Sequence, residues 1–428
     1  MEQLETIIIG AGLAGLSTAL HLAGERHILE RSPAPGGLAT TVFEKGYGFD
    51  VTGHWLHMRD PDIKARFEPL VTMHEVERKS SIYAYARFVA YPFQSNLKDV
   101  PYGERVECLM GAVEAHARRV GGVPEPNAFG DFVLHHFGDG IAREFMFPYN
   151  TKLWGVAPND ISHAWCQRFV PVPDLRQIVE GCFSDVHRSA GYNASFSYPS
   201  KGGIGSFSGA LAAAAGPIDL STEVQRIHAG ERWLETTDGR RMSYRNLVSS
   251  MALPTLIQCI EDAPDEIRQA ASHLACTSVR YFNLGLSKKV LDGLHWVYLP
   301  DPKLHAYRIG SFSNAVPYMA PDGCTSLYVE LANDREVDDE DALDGVLEVL
   351  SAIGPEVTRR DVEVWQTRTI EHAYVIYDHA YEAARGAIMT YLESTGIMSV
   401  GRYGKWVYAS MEDALMDGRE AAARIEAN

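Results

Sequence analysis

The 428-residue chain has no Cys-x-x-Cys pair: its six cysteines, Cys108, Cys166, Cys182, Cys259, Cys276 and Cys324, are scattered along its length. That spacing indicates neither a zinc cage nor a disulfide framework, no metal is expected, and reduced thiols fit a cytoplasmic setting. Positive charge is also scarce, with 39 Lys plus Arg against 56 Asp plus Glu and a formal net charge of −17. So acidic a chain repels a phosphate backbone on average, and no nucleic-acid partner is expected; an anionic substrate would have to be held by a few locally placed arginines. No apolar run approaches the roughly 20 residues that cross a bilayer. The N-terminus passes from Met1-Glu2-Gln3-Leu4-Glu5 straight into Thr6-Ile7-Ile8-Ile9, with no basic or apolar leader. The expectation is an unprocessed cytoplasmic protein without a membrane span. Composition, at 46% hydrophobic and 22% charged, is that of a globular chain long enough for two or three lobes.

What is present begins with one βαβ unit. Residues 6–9 are a β-branched run, residues 13–22 an apolar helix, and residues 27–30 a second strand. Gly10-Ala11-Gly12-Leu13-Ala14-Gly15 joins the first two. Glycines there permit a tight turn and let a pyrophosphate approach the helix N-terminus, while Glu30, about twenty residues on, stands where a ribose diol would donate to it. From residue 100 to about 147, apolar residues recur at helical spacing, as in Val106, Leu109, Met110 and Val113, and helices are expected to continue to about residue 182. Residues 279–286, 295–299, 326–331 and 362–367 are short β-branched and aromatic runs that suggest an antiparallel sheet. Segments 221–227, 246–250 and 398–400 read as strands returning to the first unit. The expected fold is α/β: a discontinuous Rossmann-like nucleotide domain (1–95, 190–275 and 380–428), a helical lobe (96–189) and an antiparallel-sheet substrate lobe (276–379).

Glu30-x5-Gly36-Gly37-Leu38-Ala39-Thr40 resembles the extended FAD fingerprint of the superfamily of amine oxidases, porphyrinogen oxidases and UDP-galactopyranose mutases. A second resemblance lies near the C-terminus, where Gly401-Arg402 is expected to end a strand and Ser410-Met411-Glu412-Asp413 reads as an N-cap with an acidic residue three positions on. In that superfamily such a helix start presents amides to the flavin's pyrimidine edge. The resemblance implies non-covalent FAD, contacted by Gly10, Gly12, Gly15, Glu30, Gly36, Gly37, Leu38, Gly53, Val224, Gly401, Arg402 and Met411.

The remaining motifs resemble the UDP-galactopyranose mutase family, particularly its eukaryotic-type branch. Phe49-Asp50-Val51-Thr52-Gly53-His54 is similar to a mobile histidine loop beside the flavin, with Thr52 where the family usually has Gly. Tyr91-Pro92-Phe93-Gln94-Ser95-Asn96 resembles the segment that holds uracil, and Pro148-Tyr149-Asn150-Thr151-Lys152-Leu153-Trp154 the strip that closes over uridine and sugar. Phe93 and Tyr149 would sandwich the base and Gln94 fix its polar edge. Arg168 and Arg308 match two diphosphate-gripping arginines, suited to the task because a guanidinium stays charged and chelates phosphate bidentately. Asn193, Tyr298, Tyr374 and Tyr408 match further polar contacts; Val375-Ile376-Tyr377 departs from the prolines the family tends to place there. Tyr91 and Trp154 complete the implied substrate contacts, with His54, Arg168 and Arg308 catalytic.

The implied activity interconverts pyranose and furanose rings of UDP-galactose or a related nucleoside-diphosphate hexose, UDP- or dTDP-linked, in cell-surface polysaccharide biosynthesis. N5 of reduced flavin attacks the anomeric carbon and carries the sugar as an adduct, with no net redox. NADPH or NADH would supply the electrons, and the oligomeric state stays open. A rival is a true flavin oxidoreductase, amine or porphyrinogen oxidase-like or a nucleotide-sugar dehydrogenase; a third is a non-catalytic UDP-sugar or flavin-binding protein.

Overall fold

The computed structural model describes residues 2–166, 169–184, 194–333 and 336–427. The opening βαβ unit forms as its pattern requires. Ile7 and Ile8 of the strand Glu2–Ile9 are fully buried, and the strand pairs in parallel with Arg26–Leu29. The helix Leu13–His21 lies between the two strands in sequence. Its start depends on glycine at two points. Gly10 takes a φ of +97°, a region costly for side-chain-bearing residues, and a Cβ on Gly15 would lie 1.9 Å from the Gly10 carbonyl oxygen.

Three expected returning segments join this sheet. In lateral order it runs Val224–His228, Trp233–Thr236, Arg241–Ser249, Glu2–Ile9, Arg26–Leu29 and Ile218–Asp219, with Ile397–Ser399 also paired to Arg241–Ser249. The strands around Glu2–Ile9 are parallel, which suits a sheet buried on both faces, and the 224–249 edge is an antiparallel ribbon.

The second sheet runs Val362–Val375, Cys276–Leu286, Thr325–Leu331, Ala306–Ser311, Trp296–Tyr298, Ser80–Ala84 and Arg87–Ala90. Residues 80–90, expected in the nucleotide part, belong here instead. Ser80–Ala84 covers the open edge of Trp296–Tyr298 in parallel, the one parallel pairing in an otherwise antiparallel sheet. Two-residue alternation separates its faces. Leu327, Val329 and Leu331 pack with Leu343, Val346 and Leu350 of the helix Asp339–Ile353, while Tyr328 joins the main core on the other side.

Helices Tyr102–Val120, Phe129–Ile141, Phe147–Trp154 and Leu175–Phe183 make up the helical region. In the first, the buried residues are Cys108, Gly111, Ala112 and Ala115, whereas Val106, Met110 and Val113 face solvent. Small residues let its neighbour approach closely. Among the described residues no helix is long and apolar enough to cross a membrane, the six cysteines are unpaired, and no acid, histidine or cysteine cluster could hold a metal.

Candidate active site

At the glycine-rich end, Glu30 is buried and lies one residue past its strand. Its carboxylate accepts from the Ala11 amide at 2.7 Å and the Ser32 amide at 2.8 Å, tying the acid to the turn it serves. Gly12 caps the Leu13–His21 helix without any side-chain acceptor, so the amides of the first turn keep their positive end open to an anion. Gly36 donates to the Ala11 carbonyl at 2.8 Å, which sets Gly36, Gly37 and Leu38 alongside that turn. Val224 follows Thr222, whose amide donates to the Glu30 carbonyl at 2.8 Å. The glycine turn, the uncapped amides and the buried acid fit a dinucleotide.

On the helix Met411–Glu426, which packs directly against Leu13–His21, Ser410 and Asp413 form the expected capping box at the N-terminal end. Gly401 does not end a strand: the strand stops at Ser399, and Gly401, at φ +77°, turns the chain into a short helix, Gly401–Gly404. That turn directs Arg402 into the aromatic cluster. Its Nη1 donates to the Ala409 carbonyl at 2.9 Å and its Nη2 to Ala373 at 2.6 Å, while the guanidinium lies 5.3 Å and 4.9 Å from the rings of Tyr374 and Tyr408.

The histidine loop leaves the strand Tyr47–Asp50. Asp50 is buried and accepts from Thr41 Oγ1 and Tyr198 Oη at 2.5 Å and from the Ile204 amide at 3.3 Å. Burial outweighs these donors and pushes its carboxyl up to about 7. Thr52 adopts φ +56°, the left-handed conformation natural to a glycine, in a β-branched residue. A Cβ on Gly53 would sit 2.5 Å from Tyr328 Oη, so that hydroxyl lies against the loop backbone. His54 Nδ1 hydrogen-bonds the Val51 carbonyl. Burial, with the charges of Arg402 and Arg308, lowers its value to about 4. The neutral ring must then donate from Nδ1, because a carbonyl only accepts, and Nε2 keeps its lone pair.

Sheet register builds the remainder. Tyr298 pairs with Arg308, and Arg308 with Glu330, so one row across three strands reads tyrosine, arginine, glutamate. Arg308 donates to Glu330 through Nε and, at 2.7 Å, through Nη2. Burial opposes the arginine's charge, and the carboxylate overrides it, holding Arg308 well above its usual value. Tyr149 meets Tyr298 edge-on at 5.4 Å, and Tyr374 stacks with Tyr408 at 5.7 Å. Trp154 packs on Tyr374 at 5.5 Å; the indole nitrogens of Trp154 and Trp165, Arg402 Nε and Tyr307 Oη find no hydrogen-bond partner among the described residues.

Several expectations change. Phe93 and Tyr149 do not face each other across an open slot, because Phe145 lies between them in a parallel stack, 5.2 Å from Phe93 and 5.4 Å from Tyr149. Gln94 is buried and donates to the Pro171 carbonyl at 2.6 Å, so its amino group is bound within the fold. Tyr91 stacks on Tyr298 at 4.9 Å, with Arg78 4.8 Å above its ring. The Arg308 fork expected to chelate phosphate engages Glu330, leaving three of the five guanidinium N–H bonds for a ligand. Arg168 and Asn193 lie outside the described residues. Phe145, Arg78, Trp165 and Glu330 were missed; only Glu330 had a signal, a lone acid in the apolar run Leu327-Tyr328-Val329-Glu330-Leu331.

A family model for flavin-containing amine oxidoreductases matches residues 13–426. Among solved structures, a reduced UDP-galactopyranose mutase is similar with a TM-score of 0.90 and 26% identity, over 99% of this chain and 96% of that one. A cyclohexylamine oxidase from Brevibacterium oxydans has a TM-score of 0.73 at 16% identity, covering 99% and 98% of the two chains. A putrescine oxidase bound to putrescine has a TM-score of 0.69 at 17% identity, covering 100% and 99%. These two oxidases share the fold.

Proposed function

The chain belongs to the family of flavin-containing amine oxidoreductases, and we propose that within it the protein is a nucleotide-sugar mutase, interconverting pyranose and furanose forms of UDP-galactose or a close relative. One observation carries this reading. Arg308 and Arg402 lie within the same tyrosine-rich cluster, close enough for both charges to act on His54, and the carboxylate of Glu330 is already paired. With Arg308 balanced by Glu330, Arg402, which among the described residues donates to backbone carbonyls and to no carboxylate, leaves the cluster net positive. That charge repels a cationic amine and attracts a diphosphate, to which Arg308 adds its remaining N–H donors, and phenol hydroxyls suit a sugar. The similarity to a UDP-galactopyranose mutase over nearly the whole of both chains supports the same reading.

FAD would be held by the Gly10–Gly15 turn and the amides behind it at the pyrophosphate, by Glu30 at a ribose, and by Gly401, Arg402 and Met411 toward the flavin, with Gly53 on the histidine loop. The chemistry FAD would supply there, when bound and reduced, is a nucleophile for the anomeric carbon without net redox. Arg308, Arg402 and Arg168 would offset charge growing on the departing diphosphate and hold it close enough to return. Tyr149, Tyr298, Tyr374 and Tyr408 would orient the sugar, Trp154 would exclude water, and Nε2 of His54 would accept a proton from a donor beside it. Tyr91 and Asn193 would add polar contacts, and NADPH or NADH would supply electrons.

The test is to incubate dithionite-reduced and oxidised protein with UDP- and dTDP-hexoses and separate the products. Furanose product from the reduced sample alone, without stoichiometric loss of reductant, is expected. Bleaching of the oxidised flavin by substrate, followed by peroxide in proportion to product, would instead establish an oxidase.

A further inference from the structure

The geometry points to Lys152 as a positioning residue that braces the Tyr298–Arg308–Glu330 row against the helix bearing Tyr149 and Trp154. Lys152 is 1% exposed, on the helix Phe147–Trp154. Its ammonium donates to the carbonyls of Leu299 at 2.7 Å, Asp301 at 2.9 Å and Ala306 at 2.7 Å. Those carbonyls close the connection between the strands Trp296–Tyr298 and Ala306–Ser311: Leu299 follows Tyr298, Ala306 stands two residues before Arg308, and the Leu299 amide donates to Tyr307 at 2.8 Å.

The main chain of the same helix holds the third strand of the row. The Asn333 amide donates to the Lys152 carbonyl at 3.0 Å, and Asn333 Nδ2 to the Leu153 carbonyl at 3.1 Å, three residues beyond Glu330. Tyr149, one helical turn before Lys152, is on the same helix face and meets Tyr298 and Tyr307 at 5.4 Å and 6.1 Å. A residue that merely filled this space would be apolar, since burying an ammonium is tolerable only with its donors satisfied. Three charge-assisted bonds to one short connection instead define the separation between the helix and the strand carrying Arg308.

In its probe, the inference rests on the nucleotide-sugar reading. UDP is titrated into reduced, flavin-loaded wild type, Lys152→Met and Lys152→Arg, each also in an Arg308→Ala background. Lys152→Met is expected to retain flavin and bind UDP about tenfold more weakly, with Lys152→Arg partly restored; the loss should shrink to less than about twofold without Arg308, because coupled residues are non-additive. Unchanged UDP affinity in Lys152→Met, or an equal loss in both backgrounds, would overturn the assignment. Amide hydrogen exchange over residues 296–311 reads the brace without ligand. If wild type fails to bind UDP, the nucleotide-sugar reading falls, and exchange decides alone: acceleration in Lys152→Met supports the brace, and no change overturns it. If Lys152→Met does not fold, Lys152→Gln is read in the same ways.

Discussion

The two ends of the site are made of different material. Around Gly10, Gly12 and Glu30 the working parts are backbone amides, a turn and one carboxylate, drawn from about twenty consecutive residues. Around Arg308 they are side chains: Tyr149 comes from a helix, Tyr298, Arg308 and Glu330 from three strands, Tyr374 from a fourth strand, and Arg402 and Tyr408 from near the C-terminus. A backbone site tolerates almost no added atom, whereas a side-chain site tolerates loss in proportion to the charge or contact removed. Substitutions should therefore act as a switch at the first end and in graded steps at the second.

The largest effect is expected from Gly15→Ala, whose Cβ would lie 1.9 Å from the Gly10 carbonyl oxygen. The turn must open, and the purified variant should carry no flavin by its visible absorbance; a fully yellow Gly15→Ala would erase the contrast between the ends. Next comes Glu330→Ala, which leaves the half-buried guanidinium of Arg308 without its carboxylate. Because that guanidinium reaches solvent, the loss should stay below the roughly 3–5 kcal/mol of a fully buried pair, to be read in urea unfolding. Arg308→Ala should weaken UDP binding about tenfold by calorimetry, the scale of one charge-assisted contact.

Asp50, the last residue of the strand that leads into the histidine loop, offers a pH test. Its folded value of about 7 exceeds the unfolded value near 4, so the native state binds the additional proton between them. Its contribution is fully present below pH 4 and is lost as the pH rises through 7. Wild-type stability relative to Asp50→Asn should thus fall by a few kcal/mol between about pH 4 and 7. Parallel pH profiles of the two melting temperatures would contradict this. The smallest effect is Thr52→Gly, which relieves a left-handed β-branched residue and should stabilise the protein by about 1 kcal/mol in thermal melts.

Legibility followed the same division. The βαβ unit, the strands returning from residues 224, 241 and 397, and the capping box at Ser410 could be anticipated, because each depends on periodicity or spacing within a short window. Phe145 could not: its place between Phe93 and Tyr149 depends on how a helix meets the Phe93–Ser95 turn, and nothing near Phe145 in sequence encodes that meeting. The bond from Gln94 was invisible for the same reason, its partner being a carbonyl 77 positions away. Residues 80–90 changed sheets because an edge strand takes whichever open edge the fold presents.

By itself the sequence determined the acidic balance and the glycine turn with its distant acid. Local chemistry is sufficient there, since a turn needs only the right φ values and an anion only nearby charge. Tertiary structure alone decided that Arg308 faces Glu330, that Arg402 lies against the stacked pair of Tyr374 and Tyr408, and that Lys152 joins a helix to the connection preceding Arg308. Each of these depends on strand register and on helix placement, set by burying apolar faces spread over hundreds of residues.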